Sequence, residues 1–228
     1  VAIRKTDGTP PVLLGDGSSG GLSPDGKWAA AVFPGSPSQV TLYPVGPGQP
    51  VQIPLPQLEH VDNGSAMFLP DGRHLILTGN EHGHSRRTYE MDLNGHDFHA
   101  VTADGQVAQL PSPDGKYLAS MGMGGKLVIY SMDGGAPQYI PALPADYSPV
   151  QWDKDGQSLY VASPLTVPMH IYKVEVKTGK MAEIKTISPA DSDGVVYISP
   201  ILSDTSGSVF VYSYYQLLSN LYVISGLK

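Results

Sequence analysis

Five aspartates recur along the chain, each a short distance before a glycine of a repeated turn sequence. They are Asp16, Asp62, Asp104, Asp146 and Asp193, and the glycines that follow them are Gly26, Gly72, Gly115, Gly156 and Gly207. If a repeating fold gathers these carboxylates around one opening, their negative potential can hold a cation or a basic peptide. An Asx turn before Gly or Asn also explains four of the five. Asp146, in "ADYSP", does not fit that explanation, so both interpretations stay open.

A second group of polar side chains lies in the connection "GNEHGHSRR". It contains Glu81, His82, His84, Arg86 and Arg87. Binding residues concentrate on loops that a rigid scaffold positions, so we predict a binding loop here. The competing interpretation is that Arg87 or Glu81 simply pins the loop.

The histidines raise the question of a metal site, because six of the seven lie between residues 60 and 99. However, the turns "NEHGHSRR" and "NGHDFH" are separated by one predicted strand. That strand spans about 20 Å at roughly 3.3 Å per residue, too far for both turns to share one first-row metal. At most Glu81, His82 and His84 form a local cluster, and we predict no metal site.

The sequence contains no thiol nucleophile and no kinase motif. There is no cysteine and neither of the kinase motifs H-R-D and D-F-G. "MGMGGKLVIY" resembles a phosphate-binding loop, but Leu127 follows Lys126 where that motif needs Ser or Thr, and the next element reads as a strand. We therefore expect neither catalysis nor a cofactor from this chain.

Composition limits the partners and the fold class. The net charge is −7 and Arg86-Arg87 is the densest basic run, which argues against a nucleic-acid partner. No apolar run approaches the roughly 20 residues that span a bilayer, so no direct membrane contact is expected. The 26 glycines and 21 prolines, without a 3.6-residue apolar period, favour an all-β chain of short strands. At 228 residues a single domain is expected.

The glycines that follow the aspartates belong to a repeat of blade length. "SPDGKWAAAV", "LPDGRHLILTG", "SPDGKYLASMG" and "DKDGQSLYVAS" are similar to one another, and "SDTSGSVFVYS" is a degraded copy. Proline presets φ, aspartate accepts from the backbone and glycine takes a positive φ, so each copy predicts a tight hairpin turn rather than a phosphorylation site. An apolar strand follows each turn.

A tyrosine recurs in the strand after that one. Tyr43, Tyr89, Tyr130, Tyr172 and Tyr222 mark these third strands, and a fourth strand follows in most repeats. We predict five four-stranded blades near residues 15–58, 59–102, 103–143, 144–187 and 188–228, with residues 1–14 ending a preceding blade. Either "PVLLGD" completes the last blade of a closed ring, or the chain is the C-terminal part of a larger propeller; the spare strand "VAIRKTD" favours the second.

The repeats resemble the TolB-type, WD-repeat-like β-propeller family. "LLGDGSSGGLSPDGKWA", "LTGNEHGHSRRTYEMDLNG" and "VTADGQVAQLPSPDGKYLA" look most like the C-terminal propeller of bacterial membrane-anchored serine/threonine protein kinases. That resemblance implies an extracytoplasmic, periplasmic or cell-surface sensor domain, tethered through a membrane span outside this sequence. It implies a protein, peptide or small-molecule ligand at the channel mouth, where the five aspartates would form a rim. The alternative is the propeller of a TolB-like periplasmic translocation protein or of a prolyl-oligopeptidase-type hydrolase.

Overall fold

The repeated turn sequences form the tight hairpins that the pattern predicts. Their glycines all adopt positive φ, at 70° for Gly26, 66° for Gly72, 72° for Gly115, 66° for Gly156 and 66° for Gly207. The turn aspartates accept from the backbone two residues on: the Asp25 carboxylate lies 3.1 Å from the Lys27 amide. A residue with a Cβ is strained at such a φ, which is why glycine recurs there.

The computed structural model describes residues 1–5, 7–33, 38–163 and 166–219. The chain forms two compact units, Val1–Ile140 and Pro141–Lys228. Each unit is built of antiparallel sheets. None of the helices in the described ranges is long and apolar enough to cross a membrane.

The first unit contains a short hairpin and three larger sheets. The hairpin is β1 (Ala2–Ile3) with β2 (Val12–Leu13), and the first sheet is β3 (Ser18–Leu22), β4 (Trp28–Phe33), β5 (Gln39–Pro44) and β6 (Val51–Pro54). The second sheet is β7 (Leu58–Val61), β8 (Met67–Phe68), β9 (His74–Glu81), β10 (Arg87–Asp92) and β11 (His99–Ala100). The third is β12 (Leu110–Pro111), β13 (Tyr117–Met121), β14 (Leu127–Ser131) and β15 (Gln138–Tyr139), with a 3-10 turn at Met123–Gly125.

The core of this unit lies between neighbouring sheets. Val32 and Leu42 of the first sheet pack in one cluster with Leu75, Leu77 and Tyr89 of the second. Both faces of the central strands are therefore buried, as their apolar sequences predict. Glycines let the backbones meet directly: the Gly21 amide donates to the carbonyl of Ala66 at 2.7 Å.

The second unit contains one four-stranded and one two-stranded sheet. The larger sheet is β16 (Ser148–Trp152), β17 (Ser158–Ala162), β18 (Met169–Glu175) and β19 (Met181–Ile187). The smaller sheet pairs β20 (Val195–Ser203) with β21 (Phe210–Gln216). Ile198 and Tyr212 of the smaller sheet pack with Ile171 and Ile187 of the larger one.

The predicted strand order of a repeat, with the tyrosine in the third strand, is confirmed in four sheets. Tyr43, Tyr89, Tyr130 and Tyr172 lie in β5, β10, β14 and β18. Tyr222 and the rest of the segment "NLYVISGLK" lie outside the described residues. The two predicted ways of closing the ring differ in how this segment pairs. The number of blades and their boundaries stay predictions.

Candidate binding site

A polar connection of the first unit joins β9 to β10. Side chains at its two ends hold the base of this connection together. Arg87 donates through Nη2 to Glu81 Oε2 at 2.7 Å and through Nε to the Tyr89 hydroxyl at 3.1 Å. The Arg87 guanidinium carbon also lies 5.6 Å from the centre of the Tyr89 ring. The hydrogen bond with Tyr89, together with Glu81, raises the pKa of Arg87. Glu81 and Arg87 therefore hold the base of the loop in place, and Tyr89 is the third side chain in this contact.

Beyond this base, three basic side chains at alternate positions each contact a carboxylate. His82 Nδ1 lies 3.1 Å from Glu59 Oε1, and His84 Nδ1 lies 3.7 Å from Asp104 Oδ1. Arg86 donates through Nε to Asp62 Oδ2 at 2.9 Å and through Nη2 to the same oxygen. We call His82, His84 and Arg86 the basic loop, and Glu59, Asp62 and Asp104 the carboxylate cluster.

Glu59 and Asp62 are held by strands, Asp104 lies in the connection between β11 and β12, and the basic loop is exposed. Glu59 lies in β7, and the Asp62 amide donates to the Thr78 carbonyl of β9 at 2.8 Å. The Asp62 side chain is only 15% exposed, while that of Arg86 is 58% exposed. His60 Nε2 also approaches Asp62 Oδ1 at 3.5 Å. The arrangement is a set of carboxylates approached by basic side chains from a surface turn, and the Glu59 and Asp104 side chains remain 54% and 49% exposed.

The structure corrects the predicted position of Asp62. We expected it in the connection that enters the first strand, but the first strand of its sheet is broken, and Asp62 lies in the break between β7 and β8. The break arises because residues 62–65 form a turn, with Gly64 at a φ of 70° and the Ser65 amide bonded to the Asp62 carbonyl at 3.2 Å. Asp16 and Asp104 do precede the first strands β3 and β12.

The rest of the aspartate series is bonded through its backbone. The Asp16 carbonyl accepts from the Tyr43 hydroxyl at 3.0 Å. In the second unit, Asp146 adopts a positive φ of 71°, and the Asp193 amide donates to the Asp191 carboxylate at 3.1 Å. The structure thus brings Asp62 and Asp104 to the β9–β10 loop.

The Asx-turn explanation does not account for these carboxylates. Asp62 accepts from Arg86 instead of from its own turn, and at residues 191–193 the accepting side chain is Asp191. Asx bonds are found instead inside the repeated hairpins, as at Asp114, which accepts from the Lys116 amide at 3.1 Å. Asp62 and the aspartates of the hairpins therefore have different hydrogen-bond partners.

Within the described ranges, no group of three or more metal-ligating side chains is arranged to hold a metal ion. Glu81 is turned towards Arg87 and away from the two histidines that follow it in sequence. His96 lies beyond the other end of β10 and approaches Asp92 at 3.9 Å, and His99 lies in β11, where it approaches Glu90 at 3.5 Å. The predicted separation of the two His-bearing turns by one strand is confirmed.

Sequence reasoning missed two features. Glu59 belongs to no periodic series, and only the long-range pairing of β7 with β9 reveals it. The second is a buried charge in the second unit, where the Asp153 carboxylate accepts from the Tyr160 hydroxyl at 2.6 Å and from Lys173 Nζ at 2.5 Å. The replacement of serine by Asp153 in the fourth turn sequence, "DKDG", was a signal that could have found it.

Comparison with solved structures identifies the fold. TolB from Acinetobacter baumannii is 20% identical with a TM-score of 0.66, and the match covers 94% of this chain and 59% of that chain. A TolB-type protein from Agrobacterium tumefaciens is 18% identical with a TM-score of 0.63, covering 88% of this chain and 70% of that one. A chain from a nidogen/laminin complex is 14% identical with a TM-score of 0.57, covering 85% and 70%. No family model and no curated protein matches the sequence.

At these identities the likeness establishes the fold. The chain is an all-β protein with the four-stranded antiparallel blades of a TolB-type β-propeller. It spans 59% of the length of the Acinetobacter TolB chain.

Proposed function

We propose that this chain is a non-enzymatic β-propeller module that binds a protein, peptide or small molecule. The observation that carries the proposal is the meeting of the basic loop with the carboxylate cluster on a scaffold of strands. Charged side chains that a rigid sheet positions and solvent reaches are typical of recognition surfaces. The binding surface would comprise these six residues, with Asp16 of the same unit as a further contact.

Binding at this surface is tested by calorimetry with Ca²⁺ and with an oligolysine peptide, the cationic ligands that clustered carboxylates favour. Asp62→Asn should weaken binding of whichever ligand gives heat. The control is Asp133→Asn, which makes the same charge change at an exposed turn of the same unit. Negligible heat for both ligands, or equal loss in the two variants, would contradict the proposed surface.

For the parent protein we propose an extracytoplasmic sensor domain of a receptor-like serine/threonine kinase. The support is the blade pattern "LTGNEHGHSRRTYEMDLNG" and its counterparts along the chain. Sequencing the complete gene tests this proposal. A kinase domain and a membrane span upstream would support it, whereas a cleaved signal peptide without either would refute it.

The second candidate is the propeller of a TolB-like periplasmic translocation protein. Structural likeness to two TolB-type propellers favours it. The same gene sequence separates it from the kinase proposal, because it requires a signal peptide and no kinase domain. An adjoining α/β-hydrolase domain would instead indicate the peptidase-type alternative.

A further inference from the structure

We propose that the basic loop is an internal cover of the carboxylate cluster, and that its His82, His84 and Arg86 take the place of cationic side chains of a partner. The partner is then a lysine- or arginine-rich polypeptide segment, which binds after displacing the loop. This inference rests on the proposed function and names the class of its ligand.

The contact between Arg86 and Asp62 carries the argument. Two guanidinium nitrogens of Arg86 donate to one oxygen of Asp62. Charge-assisted hydrogen bonds of this kind are how proteins recognise an arginine of a partner. Here the arginine comes from the protein's own surface turn, so Arg86 is an intramolecular stand-in for a ligand side chain.

The carboxylates and their cover differ in how firmly the structure holds them. Glu59 and Asp62 are fixed by the pairing of β7 with β9 and by the Asp62 amide bond to Thr78. The basic loop crosses Gly83, which has a φ of 78° and open space around the position of a Cβ. Its base stays attached through Glu81 and Arg87. The tip can therefore swing away without loss of the strands beneath it.

The charges favour exchange with a cationic partner. The basic loop brings one permanent positive charge, that of Arg86, to three carboxylates. The three contacts are also solvent-exposed, and exposed ion pairs are weak. A segment with several lysines or arginines supplies more positive charge than the cover and can replace it.

The binding test uses calorimetry with an oligolysine peptide at low ionic strength, where surface charges are least screened. Arg86→Gln uncovers Asp62 and should tighten peptide binding about twofold to fivefold, the range that one exposed ion pair supplies. Adding Asp62→Asn to Arg86→Gln should abolish this gain. The matched control is Arg73→Gln, an equal charge change at an exposed residue that forms no ion pair with the described residues.

Each result decides between the two proposals. Equal tightening by Arg73→Gln and Arg86→Gln would assign the gain to net charge and refute the cover. If Arg86→Gln binds the peptide no more tightly than the wild type does, and binding still depends on Asp62, the cover is refuted and the proposed surface stands. If neither the wild type nor Arg86→Gln binds the peptide, both the cover and its cationic partner are refuted. In that case, Ca²⁺ binding that is lost in Asp62→Asn would still support the proposed surface.

A second measurement needs no peptide. Amide hydrogen exchange at residues 82–86 should be faster in Asp62→Asn than in Asp133→Asn, because only the first loses the anchor of the loop tip. Equal exchange in the two variants would show that the cluster does not hold the loop and would overturn the proposal.

Discussion

At the scale of single residues, Asp153 changes the chemistry of a repeated turn. Ser23 and Ser112 occupy the equivalent position in two other hairpins, where their hydroxyls accept from backbone amides. The Asp153 side chain is 8% exposed and bonds to Tyr160 and Lys173. Burial alone would raise the pKa of Asp153, but the hydrogen bonds from Lys173 and Tyr160 hold it below its usual value. Burial and the bond to Asp153 raise the pKa of Tyr160.

Asp153→Asn should lower the free energy of unfolding at pH 7 by about 1–2 kcal/mol, because it removes the anion between two donors. The folded pKa of Asp153 lies below the unfolded one, so its contribution is complete above about pH 4 and is lost as the pH falls through the folded pKa. Urea unfolding between pH 7 and pH 3 should therefore show the difference from wild type shrinking in acid. A gap that does not change with pH would contradict this account.

His74 gives the opposite pH dependence. Its Nδ1 lies 2.5 Å from Asp71 Oδ2, and that hydrogen bond raises the pKa of His74. The contribution to stability is complete below about pH 6.5 and is lost as the pH rises through the folded pKa. NMR titration should find the pKa of His74 above 6.5 in the wild type and nearer 6.5 in Asp71→Asn. Identical titration curves in the two proteins would refute the pairing.

At the scale of elements, the sequence predicts the hairpins well and the first strands poorly. A turn such as "SPDG" is encoded by four adjacent residues, so its register is visible locally. The break at Asp62 and the two-residue strand β12 depend on contacts with distant strands, which no local pattern contains. The same reason explains the site. The polar residues of the loop could be identified from the sequence. Glu59 and the contact of Arg86 with Asp62 could not, because they become visible only when the strands are paired in the sheet.

The close approach of β3 to the next sheet can be tested with Gly20→Ala. A Cβ at Gly20 would lie 2.1 Å from the backbone oxygen of Ala66, which cannot move without shifting the adjoining strand β8. We expect a loss of about 2–3 kcal/mol in the free energy of unfolding, as for an overpacked core. Gly46→Ala is the control, since a Cβ there meets nothing within 4 Å. Similar thermal stability of both variants would contradict the close packing of β3.

At the scale of the whole molecule, charge is distributed unevenly. The chain carries a net charge of −7, yet no Asp, Glu, Lys, Arg or His occurs in β20 or β21. Leu202 and Val211, which pair across these strands, are 62% and 50% exposed. Exposed strands without charges are prone to associate with other chains, because nothing repels an incoming strand.

Val211→Lys should therefore reduce association of the isolated chain without a large loss of stability. Light scattering over a concentration series measures the association, and a thermal melt reports the stability. Ala136→Lys introduces the same charge at an exposed position of the first unit. If both substitutions reduce association equally, the effect does not depend on the strand pair.

The fixed base of the basic loop has a practical consequence for protein engineering. Glu81, Arg87 and Tyr89 close the end of the β9–β10 hairpin before the exposed tip begins. Foreign peptide inserted after Gly83 would lengthen an exposed loop whose ends are already held together, and the entropic cost of closing a loop rises only slowly with its length. The chain thereby offers a scaffold for peptide display, with the insertion site defined by its own ion pair.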